Sequence, residues 1–390
     1  MADAQERDAP PLSVDVAGNR LTLLPEGPQR LAALLDHIEG ARQSLRILYY
    51  MFMDDASGAR VRDALIAAAE RGVEVALLLD GFGSSRNEAF FKPLVDSPVR
   101  FCRFSPNFGR RYLLRNHQKL VIADGRRLLM GGFNVSDDYF GTAGSGAWRD
   151  VGLTVEGDSV QGLNGYFDDL FAWTLGPRRR IRDLRRMLNQ HSVTEGKLHW
   201  LFGGPTRRLS PWARAVRKDM MGAQRLDLIA AYFAPSFSIL RRIGRVARRG
   251  KARIVTAATS DNGATVAAAR FLYWYLLKRG VEIFEYQPTK LHTKLVVIDD
   301  VVHIGSANFD MRSLFLNLEM MLRVDDPAFA EAMRCFFDGE VQASAAITIE
   351  SHQRQRTLVN RAKWAVGYFL VAVADYRITR RLNAMPEDLS

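Results

Sequence analysis

The chain has 390 residues, which is too long for one small core and fits two domains of ordinary size. A hydrophobic content of 47% is typical of a globular protein and excludes a disordered chain. The net charge of +11, from 54 basic and 43 acidic residues, favours an anionic partner such as a phospholipid surface or nucleic acid. A merely solvated basic surface is the alternative.

Targeting and membrane-spanning signals are not evident in this sequence. Residues 1–20 are predicted to form a disordered arm, because the first dozen lack the basic start and apolar run of a signal peptide. Uninterrupted apolar runs stay below the roughly 18 residues that a spanning helix needs. Cys102 and Cys335 have neither a metal-site spacing nor enough partners for a disulfide framework.

The first predicted half, residues 21–175, alternates buried strands with helices. A hairpin signal at Asp124-Gly125 joins two further strands. The predicted strands are 45–52, 73–80, 99–105, the two arms of the hairpin, and 148–157, and the predicted helices are 58–72 and 87–95. This alternation predicts an α/β half, with a mixed sheet flanked by helices on both faces.

Residues 176–200 form a predicted basic linker. Ile181, Leu184 and Leu188 fall on one helical face with arginines around them. Two interpretations stay open: a helix packed between the halves with a solvated basic face, or an interfacial helix lying on anionic lipid.

The second predicted half, residues 201–345, repeats the order of the first. Its predicted strands are 225–233, 251–259, 281–286, the hairpin 292–308 and 317–324, and its predicted helices are 236–250, 264–280 and a closing helix from about Pro327. Both halves therefore place a hairpin late in the sheet.

The C-terminal tail, residues 346–390, is basic and apolar. Residues 364–374 carry no charge and are flanked by basic residues, but eleven residues are too few to cross a bilayer of roughly 30 Å. A membrane-surface anchor and a core-packing helix are both possible, and we prefer the membrane anchor.

One phrase occurs twice, once in each predicted hairpin. It reads NHQKLVIAD at 116–124 and LHTKLVVID at 291–299, and a glycine-rich turn with an Asn follows each copy. A long-period repeat of this kind indicates two homologous halves that share one site. The repeated polar residues are His117, Lys119, Asp124 and Asn134 in the first half and His292, Lys294, Asp299 and Asn308 in the second.

Side-chain alternation along a strand places each His and its Lys on the same face. Two imidazoles, two ammonium groups and two Asn amides would suit a phosphoryl group under nucleophilic attack. Asp124 and Asp299 complete the predicted catalytic motif, although their odd spacing favours a role in holding the strand end. Asp150 and Glu319 are single acids on apolar strands and are candidates to orient the two rings.

The doubled motif resembles the phospholipase D superfamily. The segments GGFNVSDDY, WRDVGLTVEG and GSANFDMRSLFLNLEMML resemble its bacterial cardiolipin synthase branch, and the likeness covers roughly residues 20–345. The resemblance implies a cofactor-free and metal-free transfer through a phosphohistidine, in which His117 is the nucleophile and His292 the acid and base. It also implies that Ser306, with Lys119, Lys294, Asn134 and Asn308, holds the phosphate.

The resemblance further implies a phosphatidyltransferase that acts on anionic phospholipids, with phosphatidylglycerol as the usual donor. Longer members of this branch have two N-terminal spanning helices, so we expect this chain to be peripheral at the cytoplasmic face of the bacterial inner membrane. A phosphodiesterase that hydrolyses phospholipid or nucleic acid is the alternative, although nucleic acid is not the preferred partner. A lipid-binding scaffold with an inactive site is a third.

Overall fold

A computed structural model describes residues 12–105, 114–177, 179–206 and 209–374. They form two α/β halves, each built on one eight-stranded mixed sheet. The first half and the linker contain β1 (Ser13–Val16), β2 (Asn19–Leu24), α1 (Gly27–Glu39), β3 (Ser44–Tyr49), α2 (Ala56–Glu70), β4 (Glu74–Asp80), α3 (Glu88–Val95), β5 (Arg100–Phe104), β6 (Leu120–Ala123), β7 (Arg127–Gly131), α4 (Asp137–Phe140), β8 (Gly152–Glu156), α5 (Gln161–Leu175) and α6 (Ile181–His191).

The second half follows the linker and ends in a helical tail. It contains β9 (Leu198–Gly203), α7 (Pro211–Asp219), β10 (Arg225–Ala230), β11 (Phe233–Ala234), α8 (Phe237–Arg249), β12 (Lys251–Ala257), α9 (Gly263–Leu277), β13 (Glu282–Tyr286), β14 (Lys294–Ile298), β15 (Val301–Gly305), β16 (Phe309–Asp310), α10 (Met311–Phe315), β17 (Glu319–Asp325), α11 (Pro327–Gln342), β18 (Ser344–Ile347), α12 (Ile349–Gln355) and α13 (Leu358–Tyr368), which continues as a π-helix over Phe369–Ala374.

The two sheets share a seven-strand topology, and each adds one edge strand, β1 beside β2 in the first and β18 beside β13 in the second. The first has the strand order β1-β2-β8-β7-β6-β3-β4-β5, and the second has β9-β17-β15-β14-β10-β12-β13-β18. In each, three parallel strands continue into an antiparallel hairpin that carries the repeated phrase. The central strands are buried along nearly their whole length because helices cover both faces. The predicted fold class is confirmed.

The N-terminal segment differs from the predicted disordered arm. Residues 1–11 lie outside the described residues, but β1 and the start of β2 fall within the predicted arm and form a hairpin at the sheet edge. Strand β2 pairs with β8 as β9 pairs with β17, so it belongs to the repeated unit. Its alternate residues Leu21 and Leu23 enter the core, and this period-two pattern was the overlooked signal.

The linker helix α6 packs on the protein. Leu184 and Leu188 are fully buried in the core cluster that α5 and β9 share. The strand that follows α6 begins at Leu198 and belongs to the second sheet. Of the two interpretations left open, the packed helix with a solvated basic face therefore describes α6.

Part of the predicted tail also packs on the second half. The described part ends at Ala374, and the remaining tail residues 375–390 lie outside the described residues. Trp364 of α13 is buried and stacks on His352, with ring centroids 5.1 Å apart. Within the described ranges, no helix has the length and apolar character needed to span a membrane.

Replacing Leu184 with Ala tests the packing of α6. Removal of a fully buried leucine side chain is expected to cost about 2–5 kcal/mol of the free energy of unfolding. The measurement is the urea midpoint, with the exposed Arg182→Ala on the same helix as the matched control. Equal midpoints for the two variants would contradict this packing.

Candidate active site at the junction of the two halves

Two short backbone bridges join the halves. Asn116 pairs with Leu318, and Arg149 pairs with Leu291, both in parallel orientation. In the first bridge the His117 amide donates to the Leu318 carbonyl at 2.9 Å, and in the second the His292 amide donates to the Arg149 carbonyl at 2.7 Å. The first bridge therefore places His117 beside Glu319, the residue after Leu318. The second places His292 beside Asp150, the residue after Arg149.

The imidazole–carboxylate pairs cross between the halves. His117 Nδ1 lies 3.0 Å from Glu319 Oε2, and His292 Nδ1 lies 2.6 Å from Asp150 Oδ2. A carboxylate at Nδ1 keeps the proton there and leaves Nε2 of each ring with its lone pair. Both acids are thus brought to the rings, and neither ring is oriented by its own half.

The two carboxylates are held differently. Glu319 also accepts hydrogen bonds from Ser306 Oγ at 2.5 Å and Ser313 Oγ at 2.8 Å. Asp150 accepts from the Val151 amide, and a β-carbon at Gly132 would lie only 2.6 Å from its Oδ1. Gly132 and Ser306 occupy the same position in the two turns. Ser306 therefore contacts the acid, which differs from the predicted phosphate contact.

The two lysines are buried beside the rings. Lys119 Nζ donates to the His117 carbonyl at 2.7 Å, and Lys294 Nζ donates in the same way to the His292 carbonyl. Burial lowers the pKa of Lys119 to about 7 and that of Lys294 to about 8. A bound anion would raise the pKa of both lysines and would pair with their positive charges.

The motif aspartates do not reach the rings. Asp124 and Asp299 occupy the tight hairpin turns with φ of 50° and 45°. Asp124 accepts hydrogen bonds from the backbone amides of residues 42–44, and Asp299 accepts from those of residues 224–225. Both carboxylates therefore hold the start of the neighbouring strand, β3 or β10, and are not catalytic in the sense of contacting the reacting group.

The two motif asparagines line the same cleft but differ in their partners. Asn134 accepts from the Met51 amide at 3.1 Å and donates to the Tyr139 hydroxyl at 3.0 Å. Asn308 Oδ1 is buried and has no hydrogen-bond partner among the described residues. Asn308 therefore keeps an unused hydrogen-bond acceptor, its Oδ1, beside the cleft.

Both imidazoles line a single cleft with a volume of about 780 Å³. Sequence reasoning missed most of its aromatic and charged lining. Those residues are Tyr50, Phe82, Arg86, Arg115, Tyr139, Trp148, Tyr232, Asp261 and Arg312. The repeat does not pair the two tyrosines, because the Val135 amide donates to the Met51 carbonyl as the Phe309 amide donates to the Tyr232 carbonyl, so Tyr232 corresponds to Met51. Asp261, which accepts from the Tyr232 hydroxyl at 2.7 Å, has no counterpart in the repeated phrase.

The rings are neutral in the free site. Burial lowers the pKa of His117, and burial together with Lys294 lowers the pKa of His292 to about 3. Burial alone would raise the pKa of Asp150 and Glu319, but the neighbouring His and Lys groups hold each below its usual value. A neutral imidazole on an ionised carboxylate can act as a nucleophile or as a base.

No cluster of three or more His, Cys, Asp or Glu side chains suited to a metal ion occurs among the described residues. The prediction that the reaction needs no metal and no cofactor stays a prediction.

A sequence profile of the family described as "Cardiolipin synthase, PLD-like domain" matches residues 34–169 and 217–340, one segment in each half. The chain belongs to this phospholipase D-like family of cardiolipin synthases. Cardiolipin synthase B of Escherichia coli K12 is 29% identical over 360 residues, which cover 90% of this chain and 87% of that protein. Cardiolipin synthase 1 of Bacillus cereus is 31% identical over 360 residues, which cover 87% and 70%.

Solved structures show the same fold as this cardiolipin synthase family member. Phosphatidylserine synthase of Haemophilus influenzae superposes with a TM-score of 0.69 over 99% of both chains, at 14% identity. Polyphosphate kinase of Porphyromonas gingivalis superposes with a TM-score of 0.55 over 83% of this chain and 50% of that one, also at 14% identity. At these identities the likeness concerns the fold alone.

Replacing Asp124 with Ala is expected to destabilise the protein and leave the ring environment intact. Three backbone amides would lose their charged acceptor, which should cost about 1–3 kcal/mol of unfolding free energy. Urea unfolding measures the loss, with the exposed Asp158→Ala as control. An altered ¹⁵N imidazole spectrum of His117 would contradict the separation of Asp124 from the site.

The pH dependence of the rings follows from their lowered pKa values. An unfolded chain protonates these histidines near pH 6.5 and the native site does not, so their contribution to stability is lost as pH falls below about 6.5. Each ring that stays neutral in the native protein lowers the free energy of unfolding by up to about 1.4 kcal/mol for each pH unit below about 6.5. In ¹⁵N NMR, both rings should show the neutral pattern at pH 7, and a doubly protonated ring there would refute this.

Proposed function

We propose that the chain is a cardiolipin synthase-like phosphatidyltransferase that works through a phosphohistidine. The observation that carries the proposal is that two imidazoles, each held by a carboxylate of the opposite half, line one cleft. Family membership and relatives named cardiolipin synthase support the same activity.

The first step forms the covalent intermediate. Nε2 of His117 attacks the phosphorus of the donor phospholipid, and the bond between phosphorus and the headgroup oxygen breaks. His292 gives a proton to the departing alcohol oxygen. Because His292 is neutral in the free site, it must gain that proton when the negatively charged diester enters and raises the pKa of the ring.

The second step transfers the phosphatidyl group. The hydroxyl of a second lipid loses its proton to the now neutral His292 and attacks the same phosphorus. The phosphorus–nitrogen bond breaks and His117 is regenerated. Glu319 holds the His117 ring through both steps, and Ser306 and Ser313 hold Glu319 in turn.

Phosphate binding falls to groups on both sides of the cleft. Lys119 and Lys294 supply positive charge, and the Asn134 and Asn308 side chains line the cleft from the two halves. Preorganised donors of this kind favour the charge that develops on the phosphoryl oxygens. The low pKa values of the lysines mean that substrate binding itself draws a proton into the site.

The proposed donor is phosphatidylglycerol, and the products are cardiolipin and glycerol. The net charge of +11 suits an anionic lipid surface. We place the protein peripherally at the cytoplasmic face of the bacterial inner membrane, where anionic headgroups attract basic segments. If water takes the place of the second lipid, the same site releases phosphatidic acid, which is the hydrolytic outcome of the test below.

The experiment separates the roles of the two histidines with a donor whose leaving group needs no acid. With labelled phosphatidyl-p-nitrophenol and an alkaline denaturing quench, His292→Asn should accumulate label on the protein and His117→Asn should not. With phosphatidylglycerol vesicles, each variant should lose about 10²–10⁴-fold in rate, because one proton-transfer or covalent step is removed.

The matched control is His191→Asn, which removes an imidazole–carboxylate pair outside the cleft, with His191 Nε2 2.7 Å from Asp169. Its rate should equal that of the unaltered protein. Label on His117→Asn at the unaltered level would overturn the assignment of the nucleophile. Phosphatidic acid as the main product with a second lipid present would favour hydrolysis over transfer.

A further inference from the structure

The helix formed by α13 and its π-helical continuation has one exposed apolar face, which we call the C-terminal apolar face. Its members lie within about a third of the helix circumference at 100° per residue. They are Leu358, Val359, Ala362, Val366, Phe369 and Leu370. Leu358 is 81% exposed and Phe369 53% exposed, and no described residue covers the face.

The opposite side of the same helix is packed on α9. Trp364 and Gly367 are buried, and a β-carbon at Gly367 would lie 2.7 Å from the Ala267 side chain. This close approach of two small residues fixes the helix against the second half. The apolar face therefore points outward from a firmly seated helix.

The charged residues of α13 and of the segment that leads into it from residue 351 are all basic. Residues 351–374 contain Arg354, Arg356, Arg361 and Lys363 and no acidic residue. Arg356 also lies over the Trp274 ring on α9, 4.5 Å from its centroid. Exposed apolar and aromatic side chains surrounded by cations match the chemistry of an anionic lipid interface.

The same helix reaches the active-site cleft. Val371, one residue beyond the apolar face, lines the cleft with His117 and His292. The N-terminal end of α9 lines it too, through Asn262 and Thr265. At 100° per residue Val371 lies on the packed side of the helix, so a surface that contacts the apolar face would touch the helix end next to the cleft.

We propose that the C-terminal apolar face inserts into the headgroup region of an anionic bilayer and brings the helix end next to the cleft to the membrane surface. This inference rests on the proposed function, because a phospholipid substrate stays in the bilayer and the enzyme must bind the membrane surface to reach its phosphodiester. It also unites the two interpretations of the tail, since one side of the helix packs on the core and the other faces lipid.

The test uses the full chain with Val366, Phe369 and Leu370 all replaced by Gln. Vesicle flotation is measured with phosphatidylcholine alone and with an equal part of phosphatidylglycerol. We expect the unaltered protein to float with the anionic vesicles, and the triple variant to bind at least about tenfold more weakly. The control is Val95→Gln, a single exposed apolar residue on α3 that is 59% exposed.

Two further measurements keep the outcome decisive. Thermal unfolding should be unchanged in the triple variant, and turnover of a monomeric short-chain phosphatidylglycerol should match that of the unaltered protein. If the unaltered protein does not turn over the short-chain lipid, the proposed function is refuted, but the vesicle-flotation result still tests the membrane contact. Equal flotation of the triple variant would overturn this inference, as would a lipid-free dimer that the substitutions dissociate.

Discussion

The rest of the structure depends on the crossed contact between each imidazole and the carboxylate of the opposite half. His117 meets Glu319 and His292 meets Asp150, and a backbone bridge next to each pair fixes the distance. Neither half can assemble a complete histidine–carboxylate unit alone. The active site is therefore a property of the interface, and the two sheets must dock correctly before the chemistry exists.

The repeat is not exact, and some of its differences lie around the two carboxylates. Glu319 needs the hydroxyls of Ser306 and Ser313, whereas the shorter Asp150 is approached so closely by Gly132 that no side chain fits there. Among the described residues, the rings of Tyr139 and Trp148 contact His292 at centroid distances of 5.2 and 5.5 Å, whereas Tyr50 contacts His117 at 5.0 Å with its ring tilted by 58°. Nearly symmetric backbones thus give the two rings different surroundings, which suits two different roles in one reaction.

Burial of so many charges in one place sets the protonation of the free site. Both rings are neutral, both carboxylates are ionised, and Lys119 is held near its titration point at neutral pH. A bound diester adds further negative charge, which raises the pKa of the imidazoles and the lysines. Substrate binding and proton uptake are thereby coupled, and a vacant site has little tendency to hold a reactive protonated imidazole.

The sequence by itself determined the α/β class, the two halves, the motif residues and the identity of both acids, because a repeat and a strand period are local patterns. It did not indicate that each acid would contact the histidine of the opposite half, that Ser306 would donate a hydrogen bond to Glu319, or that Asp261 would line the cleft. Ser306 and Glu319 meet within the second half, 13 positions apart, but the exchanged histidine–acid contacts join residues as far as 202 positions apart. Only docking of the sheets decides them, since side-chain distances across an interface are set by packing and leave no periodic trace in the chain.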